Sequence, residues 1–273
     1  MDETLRLLVI FPHPDDETLG MGSTLARYAA EGVETYLVCA TRGERGWSES
    51  NGPNPGMQGV GRIREAELRC AAESLGLGEV NYLDYIDGDL DRADPKEIIA
   101  KIVAHIRRIR PQVVVTFPPD GVYGHPDHIA ISQFSTGALV CAADDSFETG
   151  QPAHRVSKLY YVADSTEVVN ILNQAFGGIS MKIDGVVRRH VGWQDWQITT
   201  KLENHRYMEQ VRDAIHCHAS QLAGFGTLPQ WPVEELSRVF GTGTFYRAYS
   251  LVNGGRKVET DLFEGLRDSN REG

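Results

Sequence analysis

The alternation of apolar strands with amphipathic helices in the first half of the chain most constrains its fold. Apolar, β-branched runs lie at Leu5 to Phe11, Val33 to Ala40 and Gln112 to Phe117. Segments with helical periodicity separate them, most clearly over residues 18–31 and 60–75. Strands that alternate with helices form βαβ units, whose strands run parallel and are covered by helices. The sequence therefore predicts an α/β, Rossmann-like fold with a mostly parallel sheet flanked by helices.

The same pattern weakens after about residue 150, and this sets the predicted domain organisation. We expect a single domain over residues 1–253. Its motif-bearing core covers about residues 1–150, and a less regular substrate-side region covers about 151–253. Residues 254–273 are polar and predict a tail that frays.

Composition argues against several classes of partner. The chain has 27 basic and 38 acidic residues and a net charge of −11, which disfavours binding to nucleic acid or to anionic membranes. No apolar run approaches the roughly 20 residues of a transmembrane helix, and the start does not resemble a signal peptide. Four widely spaced cysteines predict free thiols in a reducing compartment. We expect a cytoplasmic protein, and the sequence leaves open whether it forms a homo-oligomer.

Two clusters of metal-binding residue types each follow a predicted strand. HPDDE begins at His13, directly after the first strand, and GHPDH begins at Gly124, shortly after the strand that ends at Phe117. The carboxyl ends of parallel strands meet at one edge of a sheet, so both clusters should face one site. His13 and Asp16, together with His128, can supply three ligands to one cation. Such an open set is typical of catalytic zinc, although iron(II) or cobalt would accept the same ligands.

The other residues of the two clusters predict acid–base chemistry beside the metal. Zinc lowers the pKa of a bound water to about 7, and the adjacent Asp15 is the predicted general base. His125 is predicted to stabilise charge that develops on the substrate, with Asp127 holding its ring. Structural alternatives exist for each cluster, because the acidic triplet can cap a helix and the histidines can belong to a turn and a helix start. Their joint occurrence favours a site.

With these motifs, the sequence resembles the LmbE-like, PIG-L family of zinc-dependent N-acetylglucosaminyl deacetylases. HPDDE at His13–Glu17, TRGERG at Thr41–Gly46 and YGHPDH at Tyr123–His128 carry the resemblance, which covers about residues 5–143. The family includes the deacetylases of mycothiol and bacillithiol biosynthesis and the mycothiol conjugate amidases. The resemblance implies that His13, Asp16 and His128 bind the metal. It also implies that Asp15 is the general base, in agreement with the reading of the motifs.

The resemblance also implies roles for residues outside the metal ligands. His125 would assist at the leaving group or the oxyanion, and Tyr123 stands where the mycothiol enzymes have a tyrosine that polarises the carbonyl. Glu44, Arg64 and Asp87 match positions that bind the substrate sugar. Structural alternatives are an ion pair with a helix neighbour for Arg64 and a turn cap for Asp87.

The second half of the chain resembles the family only in a short signature. His218–Gln221 reads HASQ and resembles an HxSQ motif, but Val211 stands where relatives often carry lysine. His216 and His218 lie two positions apart and so on different faces of a helix, which argues against a shared metal. The sequence leaves the role of His218 open.

The predicted function is hydrolysis of an N-acyl amide on a small molecule. Zinc-bound water, with Asp15 as the base, would deacetylate an N-acetylated amino sugar or glycoside. One alternative is an amidase for a larger thiol or antibiotic conjugate, and another is a non-catalytic sugar-binding or metal-binding protein of the same fold. An intact Asp15 argues against pure binding. An incomplete glycine fingerprint after the first strand argues against a nucleotide-dependent oxidoreductase.

Overall fold

A seven-stranded sheet forms the centre of the fold in the computed structural model, which describes residues 4–255 and 257–267 except for the side chain of Phe176. The strands of this sheet are β1 Arg6–Phe11, β2 Glu34–Thr41, β3 Glu79–Tyr85, β4 Val113–Thr116, β5 Lys158–Val162, β8 Thr200–Glu203 and β9 Thr242–Ser250. A separate hairpin pairs β6 Ser180–Ile183 with β7 Val186–Arg189. The strand order in the sheet is β3-β2-β1-β4-β5-β9-β8.

The parallel part of this sheet explains the apolar runs in the sequence. Strands β1 to β5 pair in parallel, whereas β9 pairs antiparallel with both of its neighbours. Leu7 to Phe11 of β1 and Val113 to Val115 of β4 have no exposed surface. A parallel strand that is covered on both faces needs a continuous apolar sequence rather than an alternating one. The predicted fold class is therefore confirmed.

Two groups of helices cover the sheet. The helices are α1 Asp16–Ala30, α2 Met57–Leu75, α3 Pro95–Ile109, the single turn α4 Gly121–Gly124, α5 Pro126–Ala142, α6 Thr166–Phe176, α7 Met208–Cys217 and α8 Val233–Phe240. Helix α3 packs against α5, while α1 and α2 both pack against α7. None of the described helices combines the length and the apolar character that crossing a bilayer requires.

The strand order reverses between β1 and β4, and this position defines the functional edge of the sheet. From β1 the chain continues to β2 on one side, whereas β4 and β5 lie on the other side. Loops that leave neighbouring strands in opposite directions open a crevice at the carboxyl ends of those strands. The HPDDE motif follows β1 and the GHPDH motif follows β4, so the topology brings both motifs to this crevice.

A turn interrupts the segment 203–217, whose pattern suggests one helix. Strand β8 ends at Glu203, and α7 begins only at Met208. Between them, Asn204 has no exposed surface, and its side-chain amide donates to Thr24 Oγ1 at 3.0 Å and to Ser23 Oγ at 3.3 Å. These contacts with α1 hold the turn, because buried N–H groups that have lost water need acceptors within the protein. Tertiary contacts therefore override the helical pattern.

Part of the predicted polar tail is packed against the rest of the protein. Leu262 and Phe263 have no exposed surface, and the Leu262 N–H donates to Tyr28 Oη at 2.8 Å. The hydroxyl of Tyr28 in turn donates to Asp261 Oδ1 at 2.8 Å. These contacts, together with the buried Glu259, anchor the segment. The predicted fraying is therefore wrong for residues 259–267, and residues 256 and 268–273 lie outside the described residues.

The cysteines also differ from the prediction of free thiols. Cys70 of α2 and Cys217 at the end of α7 form a disulfide across a sequence separation of 147 residues, whereas Cys39 and Cys141 are free. The pairing depends on how α2 packs against α7, which cysteine spacing does not reveal. Because disulfides are rare in reducing compartments, the cysteines lend no support to the predicted cytoplasmic location.

Candidate metal centre

The three predicted metal ligands meet at the crevice between β1 and β4. Candidate donor atoms of His13, Asp16 and His128 all lie within 4.8 Å of one another. Asp16 Oδ2 is 3.4 Å from His13 Nδ1, and Asp16 Oδ1 is 3.6 Å from His128 Nε2. The His13 N–H also donates to Asp16 Oδ2 at 2.9 Å, so the turn between β1 and α1 orients the carboxylate. The structure thus brings together the ligand set that the sequence predicts.

The state of His128 indicates that this set fits a divalent cation. His128 is 2% exposed, and neither of its ring nitrogens has a hydrogen-bond partner among the described residues. Burial, opposed by Asp16 but reinforced by the charge of His13, lowers the pKa of His128 to about 3. The ring is then neutral at pH 7, which is the form that binds a metal. An unpaired buried nitrogen is costly, and a metal ion would remove that cost.

A second possible triad consists of His13, His125 and Asp127, whose donor atoms lie equally close together. In this set His125 Nδ1 already accepts the Asp127 N–H at 3.1 Å. Asp127 has no exposed surface, and its carboxylate already accepts three hydrogen bonds, described next. Groups that are satisfied within the protein gain less from a metal than the unpaired His128 does. The first set is therefore the better candidate.

Asp127 holds His125 through its backbone N–H, as described above, while its side chain holds His13, a contact that the sequence does not predict. Its Oδ2 lies 3.0 Å from His13 Nε2 and also accepts the Gly88 N–H at 2.7 Å, while Oδ1 accepts the Leu90 N–H at 3.1 Å. A carboxylate on the far nitrogen of a metal-binding histidine fixes the ring and its tautomer. His13 can then direct Nδ1 toward Asp16 and His128.

Asp87 and Glu44 lie in the same network, behind His13. Asp87 Oδ1 is 3.1 Å from His13 Nε2, and the Asp87 N–H donates to Glu44 Oε2 at 3.2 Å. Burial opposes ionisation of Asp87, but its contacts with His13 outweigh burial and lower its pKa to about 2. Both residues were predicted to bind the sugar. In this structure Asp87 contacts His13, a candidate ligand, and Glu44 accepts the Asp87 N–H.

Asp15 directly precedes the candidate ligand Asp16 and has a strained backbone conformation. Its backbone has φ 106°, a value that is rare for a residue other than glycine. The Asp15 N–H donates to Glu17 Oε2 at 2.9 Å, and Asp15 Oδ2 accepts from Arg64 Nη2 at 3.1 Å. Burial raises the pKa of Asp15 to about 6, with Asp16 adding to this effect and Arg64 opposing it. A carboxylate in such surroundings suits the role of general base near neutral pH.

Arg64 lies behind Asp15 instead of facing the crevice. Its side chain is 4% exposed and donates to the carbonyl oxygens of Gly43 and Pro14 as well as to Asp15. A Cβ at Gly43 would lie 2.0 Å from Arg64 Nη1, and one at Gly46 would lie 2.4 Å from the same atom. The glycines of TRGERG therefore make room for the guanidinium. The structure places Arg64 as a support for Asp15, in contrast to the predicted sugar contact.

His125 and Tyr123 present hydrogen-bond donors at the crevice. Burial and the charge of His13 lower the pKa of His125, and its Nδ1 accepts a backbone N–H, so the neutral ring carries its proton on Nε2. Burial, with the nearby carboxylates, raises the pKa of Tyr123, so its hydroxyl stays protonated. The preceding residue, Val122, has φ 68° and ψ −71°, which is unusual for a β-branched residue and fixes the path of the chain at Tyr123.

A buried pair that the sequence did not assign supports Asp15 from the other half of the chain. His218 and Glu17 have no exposed surface, and His218 Nε2 is 2.8 Å from Glu17 Oε1. Burial opposes protonation of His218, but the charge of Glu17 outweighs it and raises the pKa of His218. The other oxygen of Glu17 accepts the Asp15 N–H. The HASQ stretch was the one sequence signal for this pair.

The rest of the HASQ stretch also holds the loops of the site. The N–H and hydroxyl of Ser220 each donate to Glu67 at 2.7 Å, and Gln221 Nε2 donates to the Gly46 carbonyl at 2.9 Å. Val211 has no exposed surface and belongs to an apolar cluster that includes Met208. A buried position between packed helices explains why an apolar residue is acceptable there.

The fold and the site together define an α/β protein with a candidate mononuclear metal centre. Residues 8–139 match the model of the PIG-L family, described as GlcNAc-PI de-N-acetylase. A 1D-myo-inositol 2-acetamido-2-deoxy-alpha-D-glucopyranoside deacetylase from Thermobispora bispora is 34% identical, over 96% of this chain and 98% of its own. The chain belongs to the PIG-L family, and the predicted family is confirmed.

Solved structures with the same fold have more than one activity. An N,N'-diacetylchitobiose deacetylase from Pyrococcus horikoshii has a TM-score of 0.68 and 20% identity, over 90% of this chain and 84% of that one. GalB, a 4-carboxy-2-hydroxymuconate hydratase from Pseudomonas putida, has a TM-score of 0.65 and 18% identity, over 92% and 99%. The fold alone therefore does not determine the reaction.

Proposed function

We propose that the protein removes the acetyl group from the amine of an N-acetylated amino sugar glycoside. The observation that carries the proposal is the juxtaposition of three candidate metal ligands with Asp15 at the crevice between β1 and β4. The similarity to a deacetylase of such a glycoside over nearly the whole chain supports it. The substrate would be a small molecule.

The ligands His13, Asp16 and His128 would hold one divalent cation, for which we propose zinc. A bound zinc ion supplies a Lewis acid and lowers the pKa of water at the site. The carboxylate of Asp15 takes the proton from the water that attacks the amide carbon. Asp15 then returns this proton to the amine nitrogen as the C–N bond breaks, so the products are acetate and the free amine.

Two further side chains stabilise charge during this reaction. The Tyr123 hydroxyl and the Nε2–H of His125 donate hydrogen bonds to the carbonyl oxygen as negative charge develops on it. Donors that are fixed in position before the reaction stabilise such charge without the cost of reorganisation. Val122 and the turn around Gly121–Gly124 hold Tyr123 in place, and the Asp127 N–H holds His125.

Removal and replacement of the metal tests this function. We expect the protein to release free amine from methyl 2-acetamido-2-deoxyglucopyranoside and from GlcNAc-inositol. Dialysis against a chelator should lower that activity by at least about twentyfold, and added zinc should restore it. The measurement is amine release by a fluorogenic reagent, with metal content determined in parallel. If zinc binds with one ion per chain and every N-acetyl amide stays intact, the proposed reaction is wrong.

Substitution of His218 tests whether the pair Glu17 and His218 positions the base. We expect His218→Ala to lower kcat by about tenfold, because Glu17 then keeps only the Thr18 hydroxyl on Oε1, loses its cationic partner and holds the Asp15 backbone less firmly. The KM should change less than twofold. His218→Gln keeps a donor near Glu17 and should recover part of kcat. A loss of thermal stability without any fall in kcat would show a structural role alone.

A further inference from the structure

A cavity of about 760 Å³ opens directly beside the metal centre. Asp15, Asp16, Tyr123 and His128 line one end of it, so whatever occupies the cavity is continuous with the reacting groups. The far wall is formed by α6, by the start of the β6–β7 hairpin, by the loop before α8 and by α8 itself. Its apolar residues include Val168, Leu172, Ile179, Phe225, Val239 and Phe240. The wall away from the metal is therefore mainly apolar, with Ser180 and Thr227 as its polar members on these elements.

The charges on the cavity wall disfavour an anionic occupant. Among the described residues, no lysine or arginine lines the cavity, whereas three aspartates do. Asp164 is one of them, and its Oδ2 lies 3.2 Å from Nε2 of His190, which also lines the cavity. A carboxylate or phosphate placed against the apolar end would lose its hydration without gaining a cationic partner.

The volume exceeds what an acetamido sugar alone would fill. Cavities of this size hold drug-sized ligands, and burial on an apolar wall favours binding in proportion to the apolar area removed from water. From the wall and the charges, and on the basis of the proposed deacetylation, we infer that the substrate carries an uncharged apolar substituent that occupies the far end. The substituent is an alkyl or aryl group, either on the aglycone or on the acyl side of the amide.

Matched substrates separate the two positions of this substituent. For the aglycone, the methyl and octyl glycosides of N-acetylglucosamine are compared below the micelle concentration. For the acyl side, N-acetyl and N-octanoyl forms of the methyl glycoside are compared. We expect one of the longer compounds to have a kcat/KM at least about tenfold above its short counterpart, mainly through KM. The malate glycoside of N-acetylglucosamine carries an anionic aglycone. Its kcat/KM should be lower than that of the methyl glycoside.

A charged substitution on the far wall tests where the substituent binds. Leu172→Asp on α6 should abolish the tenfold advantage of the longer compound. Val140→Asp is the matched control, because Val140 lies on α5, is 72% exposed and does not line the cavity. This control should leave the ratio of the two substrates unchanged. If Leu172→Asp preserves the advantage, the apolar wall is not where the substituent binds.

Equilibrium binding makes the inference independent of turnover. Calorimetry with the zinc-loaded protein compares the octyl and N-octanoyl compounds with the methyl N-acetyl glycoside. If no amide is cleaved, yet a longer compound binds about tenfold tighter and Leu172→Asp removes that difference, the proposed reaction fails and the cavity inference stands. Equal binding and equal turnover of short and long compounds overturn the inference while leaving deacetylation intact. A higher kcat/KM for the malate glycoside than for the methyl glycoside also overturns the inference.

Discussion

Asp15→Asn is expected to lower kcat/KM for amide hydrolysis by about a thousandfold, because a positioned general base contributes on the order of 10²- to 10⁴-fold. Asparagine has nearly the shape of aspartate but cannot accept the proton of the attacking water. The substitution preserves an oxygen that accepts from Arg64 Nη2 and leaves the Asp15 N–H bonded to Glu17. The backbone with φ 106° also tolerates asparagine better than most residues.

Metal content and a control substitution make this result specific to the base. Metal analysis should show the same zinc per chain in the variant and in the wild type, since Asp15 is not among the three candidate ligands. Asp91→Asn removes an exposed carboxylate elsewhere and should leave kcat/KM unchanged. Retention of more than about a tenth of the activity by Asp15→Asn would contradict its role as the base. Loss of zinc would instead reveal a role in metal binding.

The fold and the meeting of the three candidate ligands were predictable because both depend on local sequence. The apolar runs of β1 and β4 follow from burial on both faces of a parallel sheet. A motif directly after each strand must then lie at the edge where the strands end. His13 and Asp16 are three residues apart, so one turn sets their geometry. The position of His128 needs only the adjacency of the two strands.

The supporting contacts could not be predicted because they join distant parts of the chain. Asp127 and His125 are neighbours in sequence, yet the Asp127 side chain reaches His13, which is 114 positions away. Glu17 and His218 are 201 positions apart and meet only through the packing of α7 against α1. Arg64 matches a family position, but its burial depends on glycines in another loop. Pairwise contacts of this kind follow from tertiary packing rather than from any periodicity.

Glu259 is the centre of a buried ionic cluster that fixes the C-terminal segment to the sheet. It is 1% exposed and accepts from Lys158 Nζ at 2.8 Å, from Tyr160 Oη at 2.5 Å and from Arg247 Nη1 at 2.7 Å. Lys158 itself has no exposed surface. Removing one member of a buried ion pair leaves the other charge without compensation inside the protein.

Glu259→Ala is therefore expected to lower the free energy of unfolding by about 3–5 kcal/mol, as for other broken buried pairs. Urea denaturation at neutral pH measures this loss. Glu235→Ala serves as the control, because Glu235 pairs with Arg238 on the surface with a side chain that is 48% exposed. The control should cost no more than about 1 kcal/mol. A comparable loss in both variants would contradict the special role of the buried cluster.

The pH dependence of this stabilisation has a definite sign. Burial alone would raise the pKa of Glu259, but hydrogen bonds from Lys158, Tyr160 and Asn253 outweigh burial and lower the pKa below its ordinary value of about 4.3. A carboxyl group with a lowered pKa stabilises the folded state fully above its unfolded pKa, and this contribution is lost as the pH falls through the folded pKa. The difference in unfolding free energy between wild type and Glu259→Gln should therefore stay constant from about pH 7 to pH 5 and shrink below about pH 4. A difference that grows on acidification would show that Glu259 is protonated in the folded protein, and the cluster would then be neutral at this position.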